Sequence, residues 1–227
     1  MRQYIVATPS TELRLQTLRN TYLLLALSMI PTAFGALIGM QLSFAFLMGS
    51  PIIGTLVLMA LMYFLMFMVQ KNKDSFAGIV WMMLFTFCMG ALLGPLLQFA
   101  LRLPNGSNLV LLAAMLTAAV FAVMSALAFS LKRELTFLTN FLAIGSVVIL
   151  LALLVNIFLQ LPLMHLILCG AFVIFSSLMI LWQLNQIVIG GESNYIVATL
   201  SIYISLYNLF TSLLQILIAL SGNDSKR

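Results

Sequence analysis

Charged side chains are scarce in this sequence, in which Asp, Glu, Lys and Arg make up 7% and hydrophobic residues 63%. A soluble domain has about 25% charged residues, so an ordinary soluble fold would lack the polar surface it needs. The composition therefore predicts a single domain whose solvent is mostly lipid. The net charge of +5 comes without a long basic run, which argues against a nucleic-acid partner.

Seven apolar runs account for most of the chain, each near the roughly 20 residues that a membrane-spanning helix needs. We therefore predict an all-α integral membrane protein with seven transmembrane helices. Residues 1–19 would form an N-terminal tail, residues 20–220 the transmembrane domain and residues 221–227 a short C-terminal tail. The predicted spans are 20–42, 51–70, 76–100, 108–130, 137–158, 163–187 and 195–220.

Basic residues are unevenly divided between the two sides of these spans. With the N-terminus in the cytosol, seven of the ten Lys and Arg residues fall on the cytosolic side and three fall outside. Cytoplasmic loops of membrane proteins carry an excess of Lys and Arg. The distribution thus predicts a cytosolic N-terminus and an external C-terminus.

Charged side chains are missing from the middle of every predicted span. A charge kept at mid-membrane costs about 2.5–3.5 kcal/mol on insertion scales and usually marks an ion path or a proton relay. We nominate no catalytic residue, no metal ligand and no cofactor. The single histidine, His165, is interpreted as a hydrogen-bonded or an interfacial residue, and Cys88 and Cys169 as small buried hydrophobic side chains.

Small and polar residues form a regular stripe along the last span, at alternating steps of three and four. This is the period of a packed helical seam, and small residues and amides in lipid belong against other helices. We predict that the seventh helix is central in the bundle. The seam would either pack against its neighbours or line a cavity or ion path. Its members are Ala198, Ser201, Ser205, Asn208, Ser212, Gln215 and Ala219.

Two pairs of glycines are spaced by four residues within predicted spans. Gly35 and Gly39 lie in the first span, and Gly90 and Gly94 lie in the third. Such pairs favour close helix contact, with dimerisation as the alternative.

One polar run between the last two spans is distinctive: Gly190, Gly191, Glu192, Ser193, Asn194, Tyr195 and Ile196. It is followed by Ala198-Thr199 and Ser205-Leu206-Tyr207-Asn208, and preceded in order by Leu18 to Tyr22, Gly90 to Pro95 and Asn156 to Pro162. Together these stretches resemble the Bax inhibitor-1 family over nearly the whole chain, most closely its bacterial YccA branch. The resemblance implies a bacterial inner-membrane protein whose last span is wrapped by the other six.

The resemblance implies two different activities. Members of the YccA branch are described as modulators that bind the membrane-anchored, ATP-dependent FtsH protease. Other members resemble pH-sensitive calcium leaks whose sensor is an acidic pair in the sixth and seventh spans. At the matching positions this chain has Gln183 and Ser205, which do not titrate near neutral pH and bring no negative charge to a divalent cation.

We therefore expect a non-enzymatic regulator whose partners are the FtsH protease complex and the lipid bilayer, with residues 1–19 as the handle. The alternative is a cation leak, for calcium or protons, that lacks the acidic pair and runs through the seam around Gln183, Ser205 and Asn208.

Overall fold

The computed structural model describes residues 11–42, 51–131 and 133–224, and all secondary-structure elements among these are α-helices. The helices are α1 (Thr11–Gly39), α2 (Pro51–Lys71), α3 (Phe76–Leu101), α4 (Gly106–Ser130), α5 (Thr136–Leu159), α6 (Pro162–Ile189) and α7 (Tyr195–Asp224). Six of them, all except α2, are long and apolar enough to cross a membrane, whereas the apolar stretch of α2, Leu56–Lys71, is shorter. The prediction of an all-helical, multi-pass membrane protein is confirmed.

The first helix begins earlier than the apolar run does. Thr11 to Arg19, which belong to the predicted tail, are the first turns of α1. Thr17 and Leu18 are buried, and the Thr17 hydroxyl donates to the Ser193 carbonyl at 3.2 Å. Tertiary contacts thus extend the helix beyond its apolar segment. Residues 1–10 and 225–227, from the two predicted tails, lie outside the described residues.

The last helix lies at the centre of the bundle. Among the described residues, α7 packs against α1, α2, α3, α4 and α6, and it buries apolar side chains along its length, such as Ile196, Ile202, Leu209 and Leu214. The expectation that six helices wrap it is wrong, because α5 packs on α6 alone within the described parts of the chain. Helix α5 is apolar on all sides and buries only Leu142, so lipid solvates most of its surface.

Helices α1 and α3 form the closest helix pair, and glycines line their contact. A Cβ atom on Gly35 would overlap the Phe87 carbonyl, and one on Gly90 would overlap the Thr32 carbonyl. Gly39 and Gly94 face each other's helices in the same way. Pro95 has no N–H for the carbonyl of Ala91, four residues earlier, and that carbonyl oxygen lies against Gly39. The absence of side chains therefore permits the two backbones to approach.

We predict that Gly35→Ala destabilises the protein, because the added methyl group forces α1 and α3 apart. Overpacking of this kind costs about 1–3 kcal/mol, more than the roughly 1 kcal/mol that alanine gains over glycine within a helix. The measurement is the thermal unfolding midpoint of the purified protein in detergent. Gly170→Ala in α6 is the control, since nothing lies within 4 Å of the added Cβ. Equal midpoints for the two variants would contradict the prediction.

Candidate functional site

The polar run between α6 and α7 is a tight turn that begins with a left-handed glycine. Gly190 has φ 85°, a conformation that glycine adopts without steric cost. Its N–H donates to the Ile187 carbonyl at 3.1 Å, and the Gly191 N–H donates to the Gln186 carbonyl at 2.8 Å. These bonds satisfy carbonyls at the end of α6, as in glycine-terminated helices generally. A side chain at position 190 would also meet the guanidinium of Arg14.

Asn194 begins α7 and joins it to the connector between α2 and α3. Its Oδ1 accepts from the backbone N–H groups of Ile196 at 3.0 Å and Val197 at 3.1 Å, which is the N-cap arrangement. Its Nδ2 donates to the Lys73 carbonyl at 3.1 Å and to Asp74 Oδ1 at 2.8 Å. One amide side chain therefore both starts the central helix and fixes a second connector.

Further hydrogen bonds gather other segments around this turn. The Glu192 carboxylate accepts from the Asn194 N–H at 2.7 Å. Arg14 Nη1 lies 3.4 Å from the Val188 carbonyl and donates to it, and Asn185 Nδ2 donates to the Leu131 carbonyl at 2.6 Å. With the Thr17 bond, these contacts bring the start of α1, the end of α4 and the α2–α3 connector to one end of the bundle. We call this the motif end.

The predicted seam is buried in part. Ala198, Ser205 and Ser212 are buried, Ser201, Asn208 and Gln215 are half-buried, and Ala219 is exposed. Because five helices surround α7, other faces of it are buried as well. The two positions that match the acidic pair, Gln183 and Ser205, are only 4% and 5% exposed, and the Ser205 hydroxyl donates to the Ser201 carbonyl at 2.9 Å. This pair supplies no charge to the interior.

A buried tyrosine that is not a member of the predicted seam joins three helices. Tyr203 on α7 is 2% exposed. Its hydroxyl lies 2.8 Å from Thr32 Oγ1 on α1 and 3.3 Å from the Thr86 carbonyl on α3. The ring packs edge-on against Phe85, with the centroids 6.1 Å apart. The predicted seam consists of small and amide residues, so a tyrosine is not part of its pattern. In lipid, however, a tyrosine hydroxyl also needs a hydrogen-bond partner.

A cavity of about 420 Å³ lies beside Tyr203, between α1, α3, α4 and α7. Its walls are almost entirely apolar, and the hydroxyl-bearing residues among them are Thr32, Thr117 and three tyrosines. Thr117 donates to the Ala113 carbonyl at 2.7 Å, so it is satisfied within its own helix. The lining residues are Tyr22, Leu25, Ala26, Met29, Thr32, Leu93, Ala114, Thr117, Ala118, Phe121, Tyr203, Leu206, Tyr207 and Phe210.

The single histidine lies at the opposite end of the bundle. His165 Nε2 is 2.6 Å from Gln215 Oε1 and 3.8 Å from Cys169 Sγ. The Gln215 amide nitrogen donates to the Thr211 carbonyl at 3.1 Å, which turns Oε1 toward the ring. An amide oxygen only accepts, so the hydrogen of this bond is on Nε2. That nitrogen then has no free lone pair with which to act as a base for the Cys169 thiol. Among the described residues, no group of three His, Cys, Asp or Glu side chains is placed to hold a metal ion.

We predict that Tyr203→Phe lowers the free energy of unfolding by about 1 kcal/mol, because a buried hydrogen-bonded hydroxyl is lost. Tyr207→Phe is the matched control, since the Tyr207 hydroxyl has no hydrogen bond to a described residue. Unfolding of the two purified variants in denaturing detergent measures the difference. A Tyr207→Phe effect as large as that of Tyr203→Phe would show that the hydroxyl contacts do not stabilise the fold.

We predict that Asn194→Asp frees the α2–α3 connector while it retains the helix cap. Aspartate caps a helix about as well as asparagine does, but it has no N–H for Lys73 and repels Asp74. Tryptic cleavage at Lys73 should therefore accelerate. Adding Asp74→Asn to this variant returns an amide donor to the pair and should slow cleavage again. Cleavage at the parent rate in Asn194→Asp would show that this amide does not hold the connector.

Comparisons with known proteins agree with this architecture. Residues 14–223 match the family described as Inhibitor of apoptosis-promoting Bax1. An uncharacterized protein of Neisseria meningitidis is 42% identical over 219 residues, 96% of each chain. The Escherichia coli K12 protein named Modulator of FtsH protease YccA is 40% identical over 202 residues, 89% of each chain, and its counterpart from strain O6:H1 is named Inner membrane protein YccA. The chain therefore belongs to the Bax inhibitor-1 family as a multi-pass, inner-membrane-type member similar to YccA.

Proposed function

We propose that this protein is a non-enzymatic membrane regulator that binds the FtsH protease and modulates its degradation of membrane proteins. The observation that carries the proposal is the 40% identity, over 89% of both chains, to a protein named for that role. Binding of a protease needs a complementary surface and no titratable or metal-binding group. The described interior offers buried hydroxyls and amides, which suits a structural bundle better than a reaction centre.

We further propose seven spans, with the motif end in the cytosol and the C-terminus outside. In support, Arg14, Arg19, Lys71, Lys73 and Arg133 all lie at or near the motif end. The described basic residue at the opposite end is Arg102, which follows α3. This orientation places the segment before α1 on the side where an ATP-dependent protease has its substrate and its nucleotide.

The pH-gated leak of other family members is not proposed for this chain. That mechanism depends on an acidic pair, and Gln183 and Ser205 stand at the matching positions. Neither side chain ionises near neutral pH.

The test is crosslinking and affinity capture of the tagged protein from native membranes, followed by mass spectrometry. We predict enrichment of FtsH over an unrelated seven-span protein. Deletion of residues 2–10, which leaves α1 intact, should reduce the capture several-fold, whereas deletion of residues 225–227 should not. Absence of FtsH enrichment with the full chain would overturn the proposal. If the protein without residues 2–10 captures FtsH as well as the full chain does, only the proposed role of the N-terminal segment is overturned.

A further inference from the structure

A gap runs along the bundle between α1 and α4. Along their described residues these two helices make no close backbone approach, although both pack on α7. A ring contact crosses the gap, between Tyr22 and Phe121, whose centroids are 5.9 Å apart. Helix α1 is instead held against α3 by the glycine contact, on its other side.

Two pockets open along this gap. The first is the apolar cavity of about 420 Å³ beside Tyr203. The second, of about 530 Å³, lies at the motif end between the first turns of α1, Phe129 near the end of α4, and the last residues of α6. On α1 the two pockets share one helix face, since Arg14, Leu18, Tyr22, Ala26 and Met29 follow at steps of three or four. We call the two pockets together the groove; its end at Arg14 is polar and its body beside Tyr203 is apolar.

The polar end of this groove contains an arginine without an anion. Arg14 is half-buried and forms no ion pair with a described residue. Its one hydrogen bond to a described residue, to the Val188 carbonyl, is long at 3.4 Å, and its Nε is buried with no partner. A guanidinium has five donors and binds oxyanions strongly when it is partly withdrawn from water. No described carboxylate pairs with Arg14, so an anion that binds here would come from outside the chain.

The dimensions of the groove match one leaflet of a bilayer. Fifteen residues separate Arg14 from Met29, which is a rise of about 22 Å along α1. Half of a bilayer, with its headgroups, is about 20–22 Å thick. A phosphate at the height of Arg14 would therefore place acyl carbons beside the apolar walls formed by Met29, Ala118 and Leu206.

We propose that this groove binds an anionic phospholipid from the leaflet at the motif end. The guanidinium of Arg14 contacts the phosphate, and one acyl chain lies between α1 and α4 against the central helix. The charge of Arg14 selects the headgroup, and the apolar walls accept any chain of suitable length. The site is independent of protease binding, and it stands or falls separately from the proposed function.

The test is native mass spectrometry of the full-length, delipidated protein, titrated with phosphatidylglycerol or with phosphatidylcholine. We expect one site that binds phosphatidylglycerol at least about tenfold more tightly, because its headgroup is a net anion whereas the choline cation of phosphatidylcholine offsets the phosphate charge. Arg14→Gln should abolish this preference, and Arg14→Lys should retain part of it. Arg19→Gln removes the same charge from an exposed position of α1 outside both pockets and should leave the preference unchanged.

A second pair of variants tests the acyl-chain part of the site. Ala118→Phe fills the cavity wall on α4 and should weaken both lipids alike, whereas Ala119→Phe, at an exposed position outside the cavity, should weaken neither. The proposal is overturned if the parent protein does not prefer phosphatidylglycerol, or if Arg14→Gln and Arg19→Gln bind it equally. In that case the role of Arg14 is limited to its hydrogen bond with the Val188 carbonyl at the end of α6. If Ala118→Phe and Ala119→Phe change lipid binding equally, the acyl chain does not bind in the cavity.

Discussion

The close approach of α1 and α3 is the contact on which the arrangement of the other helices depends. Lipid tails are as apolar as the helix surfaces, so burial from water does not drive helices together within the membrane. Dispersion contacts between tightly apposed backbones do so together with interhelical hydrogen bonds, and Gly35, Gly39, Gly90 and Gly94 have no side chains that would keep the backbones apart. Because α1 is held toward α3, it stays apart from α4. The same contact that stabilises the bundle thereby leaves a groove on the opposite side of α1.

At the motif end, helices α6 and α7 end and begin without losing the hydrogen bonds of their terminal backbone groups. Helix termini leave carbonyl and N–H groups without intrahelical partners. Gly190 and Gly191 return to carbonyls of α6, and Asn194 accepts from the first N–H groups of α7. The donors that remain, on Asn194 and Arg14, reach the neighbouring connector and the end of α6. A short polar turn therefore organises four segments without any ion pair between described residues.

Much of this could be read from the sequence because the determining features are local. The apolar runs predicted the helices, and the polar stripe predicted a central α7. The spacing of the glycines predicted close helix contact, although it did not identify α1 and α3 as partners. What the pattern could not give were contacts between residues far apart in the chain. Tyr203 meets Thr32 across 171 positions, and Arg14 meets Val188 across 174. Neither partner is marked by a local spacing, and the early start of α1 follows from the same distant contacts.

The chemistry of the interior also bears on how such a protein can act. The buried polar atoms of the described residues are mostly hydroxyls and amides, and most of them bond to nearby carbonyls. Such groups do not titrate near neutral pH and bind cations weakly. The state of the bundle is therefore more readily changed by what touches its surface, either a protein partner or the lipids between its helices. Arg14 lies between the proposed protease-binding segment and the proposed lipid groove. It lies one turn past the start of α1, at the mouth of the groove, and its side chain also reaches the end of α6. An anion bound there would compete with the Val188 carbonyl for the guanidinium. Val188 lies just before the turn that leads into the central helix, so a change in this hydrogen bond would alter the contacts that hold the turn.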